Sequence, residues 1–573
     1  MGRYNRLDGH ARPIARQSAF RADRHLATLS MHAMHRTRTA ALALLLLGLV
    51  LKVDPVVAQV KTANAPPVDP RLERLKKEAL AAVDARGKQV QEIIDQVFSF
   101  GELGMQEFET SKYLTGILEQ NGFRIERGVA GMPTAWVATW GSGKPVIALG
   151  SDIDGIPQSN QKPGVGYREP LVTSAPGHGE GHNSGQAVNI VAALVVKDIM
   201  QRNGIPGTLK LWPGVAEEAV AGKAHLVRAG VFKDVDVNLF THVGDNLAVS
   251  WGRMPLTALV SVMFKFRGQT AHSAGAPWRG KSALDAVMLM GQAWEYHREH
   301  MEVQQRSHYV IKDGGDQPNV VPQTASIWFY LRERDHDRVL QMFEAAKRIA
   351  QGAALMTDTQ VDTVMILGSA WNPHMNKAVA EAAYLNIERV GLPTWDNDDQ
   401  TLARSLQREI GAPVTGLATQ VERLGPPPPE NVTFGASDDI GDVSWNVPTI
   451  TLSYPSNIPG LPGHNWANGI AMATPIAHKG GLAGAKVQAL TLLDLMLTPR
   501  LVTDAWDYFR NVQTKTIKYK SFLGPNDGPP TWLNADIMAR YREQMRPFYY
   551  DPSRYKTYLE QLGIKYPTVR AVQ

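Results

Sequence analysis

The stretch GHGEGHNSGQAVNIVAALVVKDIMQRNGIPGTLKLWPGVAEE, residues 177–218, decides the fold. It opens on a loop in which His178, Glu180 and His182 alternate with glycines, enters an apolar helix over 183–201, crosses to a buried strand over 208–212, and ends on Ala216-Glu217-Glu218. Glycines between the polar residues let the backbone turn tightly and aim several side chains at one point. Upstream, a helix over 111–121 and strands over 134–139 and 145–149 continue the alternation. Strand and helix in turn predict an α/β fold, a mixed sheet covered by helices. Ligands in such sheets gather beyond the carboxyl ends of strands. His242 ends the apolar strand Phe240-Thr241-His242-Val243-Gly244, and His464 lies in the Pro462-Gly463-His464 turn, so both fit that position.

Between about 253 and 363 the texture changes: strand 256–266, helix 282–300, strands 309–313 and 325–331, helix 335–352, then an expected last strand. That order predicts an inserted ferredoxin-like α+β unit. The expected division is a signal region at 1–58, a catalytic domain in two parts at 59–252 and 371–500, an inserted lid or dimerisation domain at 253–370, and a C-terminal extension at 501–573. Residues 66–70 read as a linker into one polar amphipathic helix, 71–91, wrapping the outside of the first domain. The extension, with Trp506, Tyr508, Trp532, Tyr541, Phe548, Tyr549 and Tyr550, is expected to pack on the surface.

The apolar run Ala40 to Leu51, preceded by Arg36 and Arg38 and followed by Val56-Val57-Ala58, predicts a secretory signal with a mature start near Gln59. The expectation is an exported protein, periplasmic or secreted, with no stable membrane span after cleavage. Residues 1–58 hold nine Arg or Lys against three Asp, and removing that surplus of six takes the whole-chain charge from +5 to −1. A near-neutral mature chain gives no support for a nucleic-acid partner. Cysteine is absent, so the core and not disulfides must stabilise a chain of this size.

His178, Glu180, His182, Glu217, Glu218, His242 and His464 supply enough imidazole and carboxylate for two metal ions and one spare general base. Adjacent Glu217 and Glu218 point apart, so one can bind metal while the other handles protons. Each element alone has a plainer reading: an exposed glycine-histidine loop, a glutamate pair on a helix, a structural histidine. Their joint occurrence favours metal-assisted amide hydrolysis.

At these residues the chain resembles the co-catalytic metallopeptidase family that contains aminoacylase, hippurate hydrolase and the folate-cleaving carboxypeptidases, and looks most like its p-aminobenzoyl-glutamate hydrolase branch. The resemblance covers about residues 75–510. It is carried by Gly-His-Gly-x-Gly-His-Asn at 177–183, Glu217-Glu218 with Gly222-Lys223, Ser437-Asp438-Asp439-Ile440-Gly441-Asp442, Pro462-Gly463-His464-Asn465-Trp466 and Ala477-His478-Lys479-Gly480. The family's motifs fall in the same order. The resemblance implies a zinc-exopeptidase-like catalytic domain, with metal ligation by Glu180, His182, Glu218, His242 and His464 and with Glu217 as general base. It further implies that His272 is a lid histidine, often supplied across a homodimer, and that Asn319 clamps a substrate carboxylate. Asp152, Asp154, His178 and Asp439 would stand behind the ligands, while His478 is expected to cap or pack.

Two departures matter. The amidohydrolase branch usually has Cys where this chain has Glu180, and the peptidase branch's His-x-Asp is here Gly150-Ser151-Asp152. The cofactors implied are two divalent ions, Zn or Mn, and carboxylate in place of thiolate tilts the choice toward manganese. The expected function is cleavage of a small N-acyl or N-aroyl amino acid of the p-aminobenzoyl-glutamate kind. A metal-dependent dipeptidase or carboxypeptidase is the alternative within enzymes. A catalytically silent periplasmic binding protein for amino-acid conjugates is the alternative outside them.

Overall fold

The computed structural model describes residues 69–571 other than 431 and 434, so the expected signal segment lies outside the described residues. Among these the chain runs through β1 (Arg124–Arg127), β2 (Trp136–Ser142), β3 (Val146–Asp152), β4 (Gly207–Gly214) and β5 (Val237–Gly244). A two-residue strand, β6 (Gly252–Arg253), precedes β7 (Ala258–Arg267), β8 (Arg306–Asp313), β9 (Thr324–Glu333) and β10 (Gln360–Ala370). The chain returns through β11 (His374–Met375) and adds β12 (Thr449–Pro455).

Six strands form one mixed sheet in the order β1-β2-β4-β3-β5-β12. The neighbours β4, β3, β5 and β12 run parallel, with Asp152 opposite Gly214 and Ser453 opposite His242. Their carboxyl ends therefore share one edge. β3 is buried at every residue, as a strand covered on both faces must be. The helix Gly185–Asn203 is apolar around most of its circumference because it lies inside, packed on the long helix Pro475–Leu497 and on β3.

The second sheet has the antiparallel order β10-β7-β9-β8, with the helices Ala283–Arg298 and His336–Met356 packed on it. Strand, helix, two strands, helix, strand in this spatial order is the ferredoxin-like arrangement. Ile327, Phe329 and Leu331 of β9 are buried among those helices, and the alternate residues Trp328, Tyr330 and Arg332 take the other face. Where the chain leaves and re-enters the first sheet, β6 pairs with β11.

Two local expectations are corrected. The segment 71–91 is not one outer helix: the chain turns at Ala85-Arg86 between Leu72–Asp84 and Gly87–Phe100. Val90, Ile93, Ile94 and Val97 are core residues, and Lys76 is buried with its Nζ 2.6 Å from Asp494 Oδ1. A lysine with a buried partner reads as polar surface in the sequence and is interior in the fold. The extension is also more than a surface layer, because Leu533, Met538, Met545, Tyr550 and Tyr558 are buried. It brings donors to carboxylates inside the rest of the molecule: Arg542 to Glu102, Tyr519 Oη to Asp442 Oδ1 at 2.6 Å, and the Tyr558 amide to Asp95 Oδ2 at 3.0 Å. Among the described residues no helix is long and apolar enough to cross a membrane.

Glu102 is fully buried, and among the described residues it accepts, apart from the Arg542 guanidinium, only from the Glu109 and Thr110 amides. Replacing Arg542 by Ala leaves that carboxylate without its countercharge and should cost about 3 kcal/mol. Thermal unfolding checks this, and an unchanged midpoint would show that the extension only lies on the surface.

Candidate metal centre

The four parallel strands deliver their following loops to one place. His242 comes from the end of β5, Glu217 and Glu218 from the turn after β4, His464 from the loop after β12, and Glu180 and His182 from the loop ahead of Gly185–Asn203. Gly181 separates the last two at φ +117°, and a Cβ there would meet the Met472 sulfur at 2.6 Å. Only glycine allows Glu180 and His182 to turn toward the same point.

The ends of these side chains converge. His464 Nε2 lies 2.9 Å from Glu180 Oε2 and 3.2 Å from Glu218 Oε2, His242 Nε2 is 3.6 Å from Glu180 Oε1, and His182 Nε2 is 3.3 Å from His242 Nε2. Hydrogen bonding at the other ring nitrogen sets the tautomers. His182 Nδ1 faces Asp154 Oδ1 at 3.3 Å and His242 Nδ1 faces the Val243 carbonyl at 2.9 Å, so both carry a proton there and turn Nε2 inward. Glu218 Oε1 is buried with no hydrogen-bond donor among the described residues. Ligand atoms around a tetrahedral ion with bonds of about 2.0–2.1 Å stand about 3.3 Å apart. The donor set therefore fits divalent metal.

Charge balance points the same way. Burial raises the Glu218 pKa, and the neighbouring Glu180 charge raises it further. Burial pushes Glu180 up too, but the His464 hydrogen bond and the charges of His182 and His242 outweigh it and lower its pKa. Burial disfavours a charged His182, yet the Asp154 hydrogen bond and the Glu180, Asp152 and Glu218 charges lift its pKa well above the imidazole range, so without a metal Nε2 holds the proton that a bound cation would displace. The cluster is short of positive charge.

Behind this set, Asp154 touches His182 with one oxygen and accepts from the Glu218 amide with the other, at 3.1 Å. Asp152 offers an oxygen within 4.8 Å of the His182 and His242 nitrogens, and its Oδ1 is 2.6 Å from Lys223 Nζ. Asp439 also binds Lys223. His178 is brought into the same buried layer, but its Nε2 bonds the Val97 carbonyl at 3.1 Å. His478 pairs with Asp95 at 2.6 Å on the long helix, which is a packing role.

A cleft of about 590 Å³ opens from the centre, lined by Glu180, Glu217, Glu218, His242 and His464 on one side and by His308, Tyr330 and Arg332 of the second sheet on the other. Tyr330 Oη donates to the Glu218 carbonyl at 3.0 Å, tying the second sheet to the metal loop. Arg332 Nε is buried with no acceptor among the described residues, and burial lowers the guanidinium pKa. His272 and Asn319 lie elsewhere. They adjoin one another, with the Ser273 amide bonded to the Asn319 carbonyl at 3.0 Å, but both are exposed or half-exposed and neither lines the cleft.

The sequence does not single out Tyr330, Arg332 or Glu107, and it marks Lys223 only in the Gly222-Lys223 pair, with no role. Glu107 accepts from the Ala216 amide at 2.8 Å and from Thr134 Oγ1 at 2.7 Å, and burial followed by the Asp154 charge pushes it up to about 8. Alternation along β9 could have placed Tyr330 and Arg332 on one face. Nothing local to Lys223 or Glu107 signals a buried role.

Residues 257–355 match the family model for the peptidase dimerisation domain. The chain is 31% identical over 475 residues to one of the subunits of p-aminobenzoyl-glutamate hydrolase from Escherichia coli (strain K12), covering 78% of this chain and 97% of that protein. It is 27% identical over 436 residues to the Xaa-Arg dipeptidase of Mus musculus, covering 75% and 91%. A solved chain from methicillin-resistant Staphylococcus aureus shares the fold, with a TM-score of 0.50 at 18% identity over 74% of this chain and 100% of its own. Fold, donor set and relatives together define a metal-dependent enzyme acting on C–N amide bonds. The chain belongs to the M20 family of peptidases and amidohydrolases.

Because Asp154 orients His182 and anchors the Glu218 loop, Asp154→Asn should weaken metal affinity about 10–100-fold. Competition against a chromogenic chelator measures this, and an unchanged affinity would remove Asp154 from the metal's support.

Proposed function

We propose that this chain is an exported, dinuclear metal-dependent amidohydrolase that cleaves N-acyl or N-aroyl amino acids resembling p-aminobenzoyl-glutamate. The observation that carries the reading is the convergence of Glu180, His182, Glu218, His242 and His464 beside a sixth group, Glu217, that is not needed as a ligand. Two divalent ions held there would lower the pKa of a shared water and polarise the substrate carbonyl. Manganese is the favoured ion, since Glu180 offers a hard oxygen.

The protein's own groups do the rest. Glu217 lines the cleft, and burial together with the Asp152, Asp438 and Asp439 charges, opposed by Lys223, raises its pKa well above the carboxylate norm. A base of raised pKa takes a proton from the attacking water and returns it to the departing amine nitrogen. Arg332, with an unpaired Nε on the opposite wall, is placed to receive the substrate's carboxylate, and Val220, Val249, Met254 and Leu256 line an apolar region for the acyl part. A dipeptidase preferring a cationic side chain, as the name of the mouse relative describes, is the second reading. Arg332 argues against it by repulsion.

His272, the lid histidine that would donate to the oxyanion of the attacked carbonyl, stands outside its own subunit's cleft, so the reading requires a homodimer in which His272 and Asn319 serve the other subunit. The outer strand β8 supports this with one unpaired edge and exposed Val310 and Ile311. Export rests on the N-terminal sequence alone.

Glu217→Gln should lower kcat by about 10²–10⁴-fold with KM and metal content kept. Unchanged turnover would sink the general-base role. Mixing that variant with an inactive His272→Ala variant should restore about a quarter of wild-type activity through heterodimers with one complete site, and no recovery would place both residues in one subunit's site. N-terminal sequencing of the protein recovered outside the cytoplasm should begin near Gln59, and a start upstream of Ala40 would contradict a cleaved signal.

A further inference from the structure

Lys223 is fully buried, and its ammonium is enclosed by carboxylates from two distant parts of the chain. Nζ lies 2.6 Å from Asp152 Oδ1, 3.6 Å from Asp438 Oδ1 and in contact with Asp439 Oδ1, and the Lys223 amide donates to Asp439 Oδ2 at 3.0 Å. The local backbone is shaped around this ion pair. A Cβ on Gly214, the last residue of β4, would stand 1.9 Å from Asp152 Oδ1 and 3.2 Å from Lys223 Cε. The Glu217 carboxylate belongs to the same cluster, because its oxygen lies within 4.8 Å of oxygens from both Asp438 and Asp439.

Three carboxylates at that spacing would by themselves cradle a divalent ion, in the all-oxygen surroundings that hard cations take. The ammonium of Lys223 already stands against two of them, Asp438 and Asp439. We propose that Lys223 is a positioning residue that ties Asp152 to the Asp438-Asp439 turn and, by supplying the fixed cation there, keeps Glu217 from becoming a metal ligand. This rests on the reading of Glu217 as the general base. It adds that the division between metal-binding Glu218 and proton-handling Glu217 is enforced by a lysine and not by the two glutamates alone. A buried ammonium without its partners, or partners without the ammonium, leaves uncompensated charge, so the cluster must stay together.

The test uses the full chain with Lys223→Met, Lys223→Arg and the paired change Lys223→Met with Asp439→Asn, each loaded with Mn²⁺, freed of excess by dialysis and assayed for bound metal. Lys223→Met should hold about one divalent equivalent more than wild type, and Lys223→Arg should match wild type. A folded Lys223→Met protein with wild-type stoichiometry would overturn the proposal. The paired variant loses one ammonium and one carboxylate together, so it serves where the single variant does not fold. It should bind as much metal as wild type while kcat falls roughly tenfold or more at unchanged KM, and an unchanged kcat would likewise overturn it. Wild-type protein that binds metal but hydrolyses no amide would instead defeat the general-base reading, leaving the stoichiometry comparison intact.

Discussion

Glu180, His182, Glu217, Glu218, His242 and His464 reach one small volume from loops up to nearly three hundred residues apart, and the parallel run of β4, β3, β5 and β12 makes that possible. Because these strands point the same way, their ends and following turns crowd one edge, where the chemical groups collect. The buried helix Gly185–Asn203 fixes the remaining loop from behind. Most of the interior serves this alignment, including the fully buried β3 and the pairing of β12 with β5.

Concentrating carboxylates at one edge has an electrostatic cost that the rest of the molecule offsets in two ways. Near the centre, His182 and Lys223 supply positive charge. Farther out, the C-terminal extension brings Arg542 to Glu102, Tyr519 to Asp442 and a main-chain amide to Asp95. Buried acids that neither paired nor accepted hydrogen bonds would be costly, so the extension is part of how this molecule tolerates so acidic an interior.

The sequence made the architecture legible because its signals are local. Helix and strand alternate around 177–218, and the inserted unit shows its strand and helix order within about a hundred residues. The same holds for Glu180, His182, Glu218, His242 and His464, which sit in recognisable turns and which the fold brings together. What stayed hidden depends on distant partners. Lys76 reads as an ordinary solvated lysine, and Lys223 as a motif residue with no stated role, until Asp494 and Asp439, more than four hundred and two hundred residues away, are seen beside them. The break at Ala85-Arg86 has only Gly87 beside it, and a helix can absorb a single glycine. The placement of His272 away from its own cleft depends on how the inserted unit is set against the first sheet.

In the proposed function this donor set holds two metal ions that support amide hydrolysis. The most direct measurement is the number of divalent ions per chain in the purified protein, taken with its turnover of p-aminobenzoyl-glutamate before and after chelation. Two ions per chain and hydrolysis that stops on chelation and returns with Mn²⁺ are the predicted result. Metal-free protein, or hydrolysis indifferent to the chelator, would contradict it.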